Sequence, residues 1–255
     1  MLHYRPWLRP CLLAGNFAAP VALLATRFQE PWAFGAAALF HGGFTLAVTH
    51  PQCGWFGPVV TRFETAAREV WLTIDDGPAG DDSIRLGEEL AQRGARATFF
   101  VKGENLARHP GVARRLIAAG HTLANHTQTH PAHVFAWLTP RRLRGEIEGC
   151  NAALRDAGVP DARWFRSPVG LKGVRLHAVL AGLGMRLIGW NVRAHDGVWC
   201  EPEAVARRVM ARAQPGAIIC MHEGRPRSIE AILRTVDELQ ARGFAAVIPA
   251  DTQLR

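Results

Sequence analysis

From Glu69 to the C-terminus the chain repeats one unit: a short apolar run, a polar turn, an amphipathic run and often a glycine. The apolar runs read EVWLTI (69–74), ATFFV (97–101), HTLAN (121–125), RWFR (163–166), MRLIGW (185–190), AIICM (217–221) and FAAVI (244–248). Between them lie runs such as DSIRLGEELAQRG (82–94), GVARRLIAAG (111–120), TPRRLRGEIEGCNAALRDAG (139–158), EPEAVARRVMARA (201–213) and SIEAILRTVDELQARG (228–243), with apolar residues recurring at three and four. Strands joined through helical crossovers lie parallel, so about seven such units predict a parallel β/α architecture. The first βα turn, DDGPAGDD (75–82), has neither G-x-G-x-x-G nor G-K-[ST], and its four carboxylates would repel phosphate. A nucleotide cradle is excluded there.

Parallel β/α barrels gather their chemistry at the carboxyl ends of the strands. After the first strand comes Asp75-Asp76-Gly77-Pro78, and after the third NHTQTH, with His126 and His130. After the fourth comes RSPVG with Arg166, after the fifth NVRAHDG with Asp196, and after the sixth MHEG with His222. On a helical turn, histidines at i and i+4 share one face about 5–6 Å apart, close enough for both imidazoles to reach one ion. Alone, H-x-x-x-H also describes two capping or surface histidines. A carboxylate from another strand end turns the reading towards a divalent metal with an open coordination position, as catalysis requires. The adjacent aspartates then have separate uses: one ligates, and the other is free to take a proton from an attacking water. A cation also offsets their mutual repulsion. In isolation the same pair reads as a solvated acidic turn.

The first sixty residues differ. CLLAGNFAAPVALLAT (11–26) and WAFGAAALFHGGFTLAV (32–48) flank a charged turn, RFQEP, with Trp7, Trp32 and Trp55 near the ends. Each stretch is at the short end of what spans a bilayer, and flanking tryptophans fit membrane segments. A cleavable signal peptide is the rival, because Arg5 and Arg9 precede the first stretch, but no small-x-small site is obvious before the second. A soluble hairpin packed on the domain is the other alternative. The boundaries expected are a membrane hairpin over 1–50, a linker over 51–68 and a catalytic domain over 69–255. Arg5 and Arg9 favour a cytoplasmic N-terminus, and a hairpin would return the domain to that face of a bacterial inner membrane. A net charge of +8, carried almost wholly by arginine, suits anionic lipid better than nucleic acid, since the arginines are scattered rather than clustered with aromatics. Five widely spaced cysteines, Cys11, Cys53, Cys150, Cys200 and Cys220, contain no C-x-x-C pair and read as free, mostly buried thiols.

TIDDGP, HTQTH, RSPVG and the strand ending in His222 together resemble the ordered motifs of the polysaccharide deacetylase family, the NodB-homology domain among carbohydrate esterases. The resemblance covers about residues 69 to 250. It implies a deformed (β/α) barrel that hydrolyses N-acetyl or O-acetyl groups on sugars with a divalent metal, usually zinc, with cobalt, nickel or manganese as alternatives. By position, Asp76, His126 and His130 match the metal ligands and Asp75 the general base. His222 matches the general acid, Arg166 the residue that orients the base, and Asp196 the one that orients the acid. The backbone N–H of Val169 falls where the family places an oxyanion donor. Four positions depart from the pattern. Val169 replaces an aromatic, Gly197 replaces the tryptophan after Asp196, Arg193 replaces an aspartate, and Cys220 replaces a leucine. The substrate expected is an N-acylated glycan or glycolipid close to a membrane. The alternatives are an O-acetyl esterase or small-amide hydrolase of the same fold, and a non-catalytic glycan-binding module.

Overall fold

The structure, a computed structural model, describes residues 3–197 and 201–255; Cys200 lies outside them. Two long helices come first, α1 (Leu8–Ala25) and α2 (Pro31–Thr49). The repeating region then forms β1 (Glu69–Asp75), α3 (Asp81–Gln92), β2 (Ala97–Val101), α4 (Gly103–Arg108), α5 (Val112–Ala118), β3 (Thr122–Asn125), α6 (Pro140–Asp156) and β4 (Trp164–Phe165). It continues with α7 (Leu176–Gly182), β5 (Arg186–Leu187), β6 (Val192–Arg193), α8 (Pro202–Met210), β7 (Ala217–His222), α9 (Ser228–Ala241) and β8 (Ala245–Ala246). The strands pair in parallel, in the order β5-β4-β3-β2-β1-β7-β6, with β8 against the start of β1. This is the deformed barrel expected, with seven strands on the continuous path. Each run from the sequence supplies a strand, but in MRLIGW the strand paired to β4 is confined to Arg186–Leu187, and β6 is an additional short strand after it.

Period two explains which residues reach the inside. On β1, Val70, Leu72 and Ile74 join the large core under the surrounding helices, while Trp71 points inward to pack with Phe100, Ile218 and Cys220. On β7, Ala217, Ile219 and Met221 face the same helical core, leaving Ile218, Cys220 and His222 inside. Strands β1 and β7 pair in register from Val70↔Ala217 to Asp75↔His222. The last inward residues of two adjacent strands are therefore a carboxylate and an imidazole, side by side at the rim.

The barrel is deformed where the chain between β5 and β6 changes neighbours. The Ile188 N–H still bonds Phe165 O beside β4, whereas that of Asn191 bonds Ile218 O on β7. A crossing leaves carbonyls without ladder partners, and buried carbonyls need donors. Arg166 supplies two: its Nε donates to Ile188 O at 3.2 Å and its Nη2 to Gly189 O at 2.9 Å. Residues 51–68 run along this gap, where Val60 bridges to Ile188 and Arg62 to Ala217.

The apolar helices pack on each other around Gly15, whose missing side chain makes room for the Phe40 ring, and Asn16 Nδ2 bonds Phe40 O at 2.8 Å. Both are long and apolar enough to cross a membrane. Their outer faces leave Phe17, Leu24, Leu39 and Trp32 exposed, Phe17 at 78%. The base of the pair packs against the barrel. There Leu12, Ala47 and Val48 cluster with Cys53, Phe56, Leu171 and Val174, and Phe44 stacks near Trp137 at 6.3 Å. Lys172, buried, donates from its ammonium to His50 O at 2.6 Å and from its backbone to Val48 O, tying off the end of α2. Burial pushes its ammonium down to about 8. Cys53, Cys150 and Cys220 are buried and free, and Cys11 is free but exposed.

Candidate active site

The strand ends converge on a cavity of about 90 Å³. Asp75, Asp76, His126, His130, Val169, Asp196 and His222 all line it; Arg166 lies directly behind Asp75. Asp75 leaves the end of β1 inward and is 2% exposed. Arg166 Nη1 donates to its Oδ1 at 2.7 Å and to Thr73 Oγ1, while the Cys220 thiol lies 3.4 Å from Oδ2. Phe100 lies under the guanidinium at 4.1 Å. The arginine that satisfies the strand crossing thus also fixes Asp75. Burial and the Asp75 charge drive the Cys220 thiol well above its ordinary range, so it stays a neutral donor.

Asp76 follows in the left-handed region (φ 76°), and this turns its side chain away from Asp75 towards His126 and His130. Its Oδ1 is 3.4 Å from His130 Nε2 and 3.8 Å from His126 Nε2, and the two rings are 4.9 Å apart. The histidines do not meet on a helical turn, as their spacing suggested. They sit in an irregular loop in which Thr127 (φ 69°) and His130 (φ 55°) are left-handed. Asn125 Oδ1 accepts from Thr127 N and Thr127 Oγ1 from His130 N, so side chains stand in for the missing helical ladder. Val169 (φ 47°) and His195 (φ 53°) are left-handed too. Such strain in non-glycine residues, gathered at one rim, is held by surrounding structure and marks a functional site.

The donor set suits a divalent cation. His126 Nδ1 lies 2.8 Å from Arg166 O; donation to that carbonyl places the free lone pair on Nε2, facing Asp76. The three candidate donor atoms lie within 4.8 Å of one another, and zinc ligands in a tetrahedron stand roughly 3.3 Å apart. Burial lowers the proton affinity of His126 and takes that of His130 down to about 4. Burial opposes ionisation of Asp76, but His126, His222, His130 and Arg225 outweigh it and bring its carboxyl to about 2. At neutral pH the trio presents one carboxylate and two unprotonated imidazoles.

Across the cavity the balance reverses. Asp196 Oδ1 is 2.8 Å from His222 Nδ1, and its Oδ2 accepts from the His222 backbone N–H at 2.6 Å. Burial works against a charged His222, but the Asp196 hydrogen bond overcomes it and raises the imidazole above its ordinary range. Burial likewise opposes the Asp196 charge, yet bonding to His222 lowers that carboxyl. One edge of the cavity holds lone pairs and the other holds a proton.

Three rim residues escaped the sequence reading. Arg225 Nη2 donates to Asp76 Oδ2 at 3.1 Å, leaving Oδ1 to the histidines. Gly197 lies beside it: a Cβ there would stand 3.7 Å from Arg225 Nη1, an ordinary contact. His195 lines the cavity beside Arg193, and Glu223, 3% exposed, bonds Ser83 beneath the Gly77 turn. The visible signal was MHEGRPR, a glycine turn followed by two arginines, but only the fold shows that Arg225 turns to Asp76 while Arg227 turns outward to Glu201 and Glu230.

The family model described as polysaccharide deacetylase matches residues 63–188, ending before Asp196 and His222. A chitooligosaccharide deacetylase of Bradyrhizobium is 32% identical over 71% of this chain and 88% of its own length. The family 4 carbohydrate esterase of Streptomyces lividans, solved with acetate, superposes with a TM-score of 0.67 at 30% identity, over 73% of this chain and 95% of its own. A family 4 pseudoenzyme of Bacillus anthracis also superposes, with a TM-score of 0.68 at 26% identity, over 74% of this chain and 66% of its own. With the parallel deformed barrel and the ordered rim motifs already in place, these likenesses settle the kinship: the chain belongs to the polysaccharide deacetylase family, hydrolases that act on carbon–nitrogen bonds of acylated sugars.

Proposed function

We propose that this chain removes an acetyl or other small acyl group from the nitrogen of an amino sugar carried at a membrane surface, using a divalent cation held by Asp76, His126 and His130. The observation that carries the reading is the in-register pair Asp75↔His222, inward on neighbouring strands and facing the same cavity as the three donors. A bound cation, zinc by its nitrogen-rich donor set, would polarise the acyl oxygen and the attacking water. Asp75, held by Arg166, takes the proton from water. His222, held protonated by Asp196, gives a proton to the departing amine, which otherwise leaves as a strong base. The Val169 N–H serves the oxygen on which charge develops. The chemistry is hydrolytic rather than merely binding because base and acid are both present.

The membrane part rests on the exposed apolar faces of α1 and α2 and on where their base docks. Leu171 and Val174, packed against that base, belong to the loop that carries Val169 into the cavity, and exposed Trp137 stacks near Phe44 beside them. The mouth of the site therefore lies close to the bilayer surface, on the cytoplasmic side if Arg5 and Arg9 stay there. The test is acetate and free-amine release by the full-length, zinc-loaded protein in detergent from an N-acetylglucosamine-bearing lipid, chitotriose and an O-acetylated sugar. Free amine from an N-acetylated substrate is expected. Cleavage of the O-acetyl ester alone would reassign the protein as an esterase, and release of the full-length chain from membranes by a high-salt wash would remove the anchor.

A further inference from the structure

Asp76 and Arg225, which line the catalytic cavity, also line a second one of about 380 Å³, which the deacetylation chemistry does not use. Lys102, Asn105 and His109 line it together with Arg225 and Glu223. Lys102 follows directly after β2, and its backbone N–H bonds Gly77 O at 2.8 Å, so the aspartate turn and the lysine are fixed to each other. Two of the nearby acids have cationic partners: Glu104 pairs with Arg108 at 3.4 Å and Asp76 with Arg225 at 3.1 Å. Glu223 turns inward, its Oε2 accepting from Ser83 and its Oε1 buried without a hydrogen-bond partner. Asp81 and Asp82 of the same turn lie in the first turn of α3 and do not line this cavity. Among the described residues Lys102 has no carboxylate partner, in a chain where 30 basic residues include only one other lysine.

We propose that this second cavity is an anion subsite in which Lys102 and Arg225 hold a phosphate ester of the substrate beside the acyl amide. The proposal rests on the amino-sugar reading above and narrows it to sugars that carry a phosphate. A cavity of this size is in the range that takes a small organic ligand. A compact ammonium and a forked guanidinium lining one cavity are groups that proteins commonly use to hold a phosphate. Asn105 Nδ2 bonds Asp76 O at 3.2 Å, fixing the wall between the two cavities. The substrate would thus reach across the Asp76–Arg225 pair, with its acyl group on one side and its phosphate on the other.

The experiment compares N-acetylglucosamine 1-phosphate, its uncharged methyl glycoside and a prenyl-phosphate-linked N-acetylglucosamine, in kcat/KM and in calorimetric binding, with metal content measured on each preparation. The phosphorylated sugars should be preferred by about ten-fold or more, with the preference shrinking as salt rises. Lys102→Met should cut that preference about ten-fold, chiefly through KM, and Lys102→Arg should keep most of it. Preference for the prenyl arm assigns the phosphate to a lipid carrier, and preference for the free sugar phosphate to a soluble one. Equal use of charged and uncharged sugars by the unaltered protein, or an unchanged preference in Lys102→Met, overturns the subsite. If no sugar is deacetylated the amino-sugar reading fails instead. The subsite is then judged by binding alone: N-acetylglucosamine 1-phosphate must still bind more weakly to Lys102→Met, and equal binding overturns it.

Discussion

His126 and His130 on one edge of the cavity, and His222 on the other, start from the same side chain and the same burden. Burial pushes all three towards the neutral form, yet the first two end below their ordinary range and the third ends above it. The difference lies in what each imidazole meets. His126 gives its Nδ1 edge to a neutral carbonyl, Arg166 O, whereas His222 gives the same edge to the Asp196 carboxylate. A neutral partner fixes a tautomer and leaves a lone pair; a charged partner holds a proton. When two groups in one cavity are driven apart in this way, their roles are separated as well.

The largest effect should come from the lone-pair edge. On the metal site proposed above, His126→Ala or His130→Ala would remove one of three ligands and the remaining two would bind far more weakly, so metal and turnover should both be lost. Asp76→Asn should lower metal affinity, with turnover partly restored by added metal. Metal content by atomic spectroscopy, read beside activity, is the check. Full occupancy in both histidine variants would dissolve the comparison, because the two edges would then differ only in proton affinity.

The next effect should leave metal in place. Asp75→Asn keeps the hydrogen bond from Arg166 but removes the proposed proton acceptor, and on that proposal turnover should fall by roughly 10²–10⁴. His222→Ala should fall by a similar factor on amides and by less on esters with good leaving groups, because an amine needs a proton to depart. Equal losses on both substrate types would put His222 on the structural side of the cavity.

Much of this contrast was legible in the sequence, because it follows from period two and from strand ends. Period two in WLTID and IICMH puts Asp75 on the face of Trp71 and His222 on the face of Cys220. Both faces of these strands are buried, however, and it is the packing of Trp71 with Ile218 and Cys220 that makes that face the inside. The order of the rim motifs was visible from the strand ends. The left-handed turns at Asp76, Thr127 and His130 were not, since none of these positions is a glycine and the strain is held by contacts such as Thr127 to Asn125 and Asn105 to Asp76. The crossing between Ile188 and Asn191 was hidden as well. MRLIGW reads as one strand, and only the pairing of its two ends with opposite sides of the barrel shows that it changes neighbours. Arg166 connects the hidden part to the visible one: the motif singled it out for Asp75, while the crossing explains its burial.

The smallest expected effect is the most specific to the comparison. Asp196→Asn keeps an acceptor opposite His222 Nδ1 but removes the charge, which should make the proton-holding edge resemble the lone-pair edge. Metal content should not change. Turnover should fall by roughly ten- to a hundred-fold, as for a partner that orients a reacting group without reacting itself. The pH profile carries the distinction. His222 is raised above the ordinary imidazole value near 6.5, so the acid form persists to higher pH and is lost as pH rises through the raised value. In Asp196→Asn only the charges of Asp75 and Asp76 are left to oppose burial, and the alkaline limb of kcat/KM should move to lower pH. Stability should follow the same sign. The charged pair contributes fully below an imidazole's unfolded pKa, and that contribution disappears as pH rises through His222's folded value, so thermal melts of the unaltered protein should lose stability over that window. The Asn variant should show a weaker pH dependence there. A variant with lower turnover but an unmoved alkaline limb would show that Asp196 only packs against His222, and that the proton on that edge is held by something else.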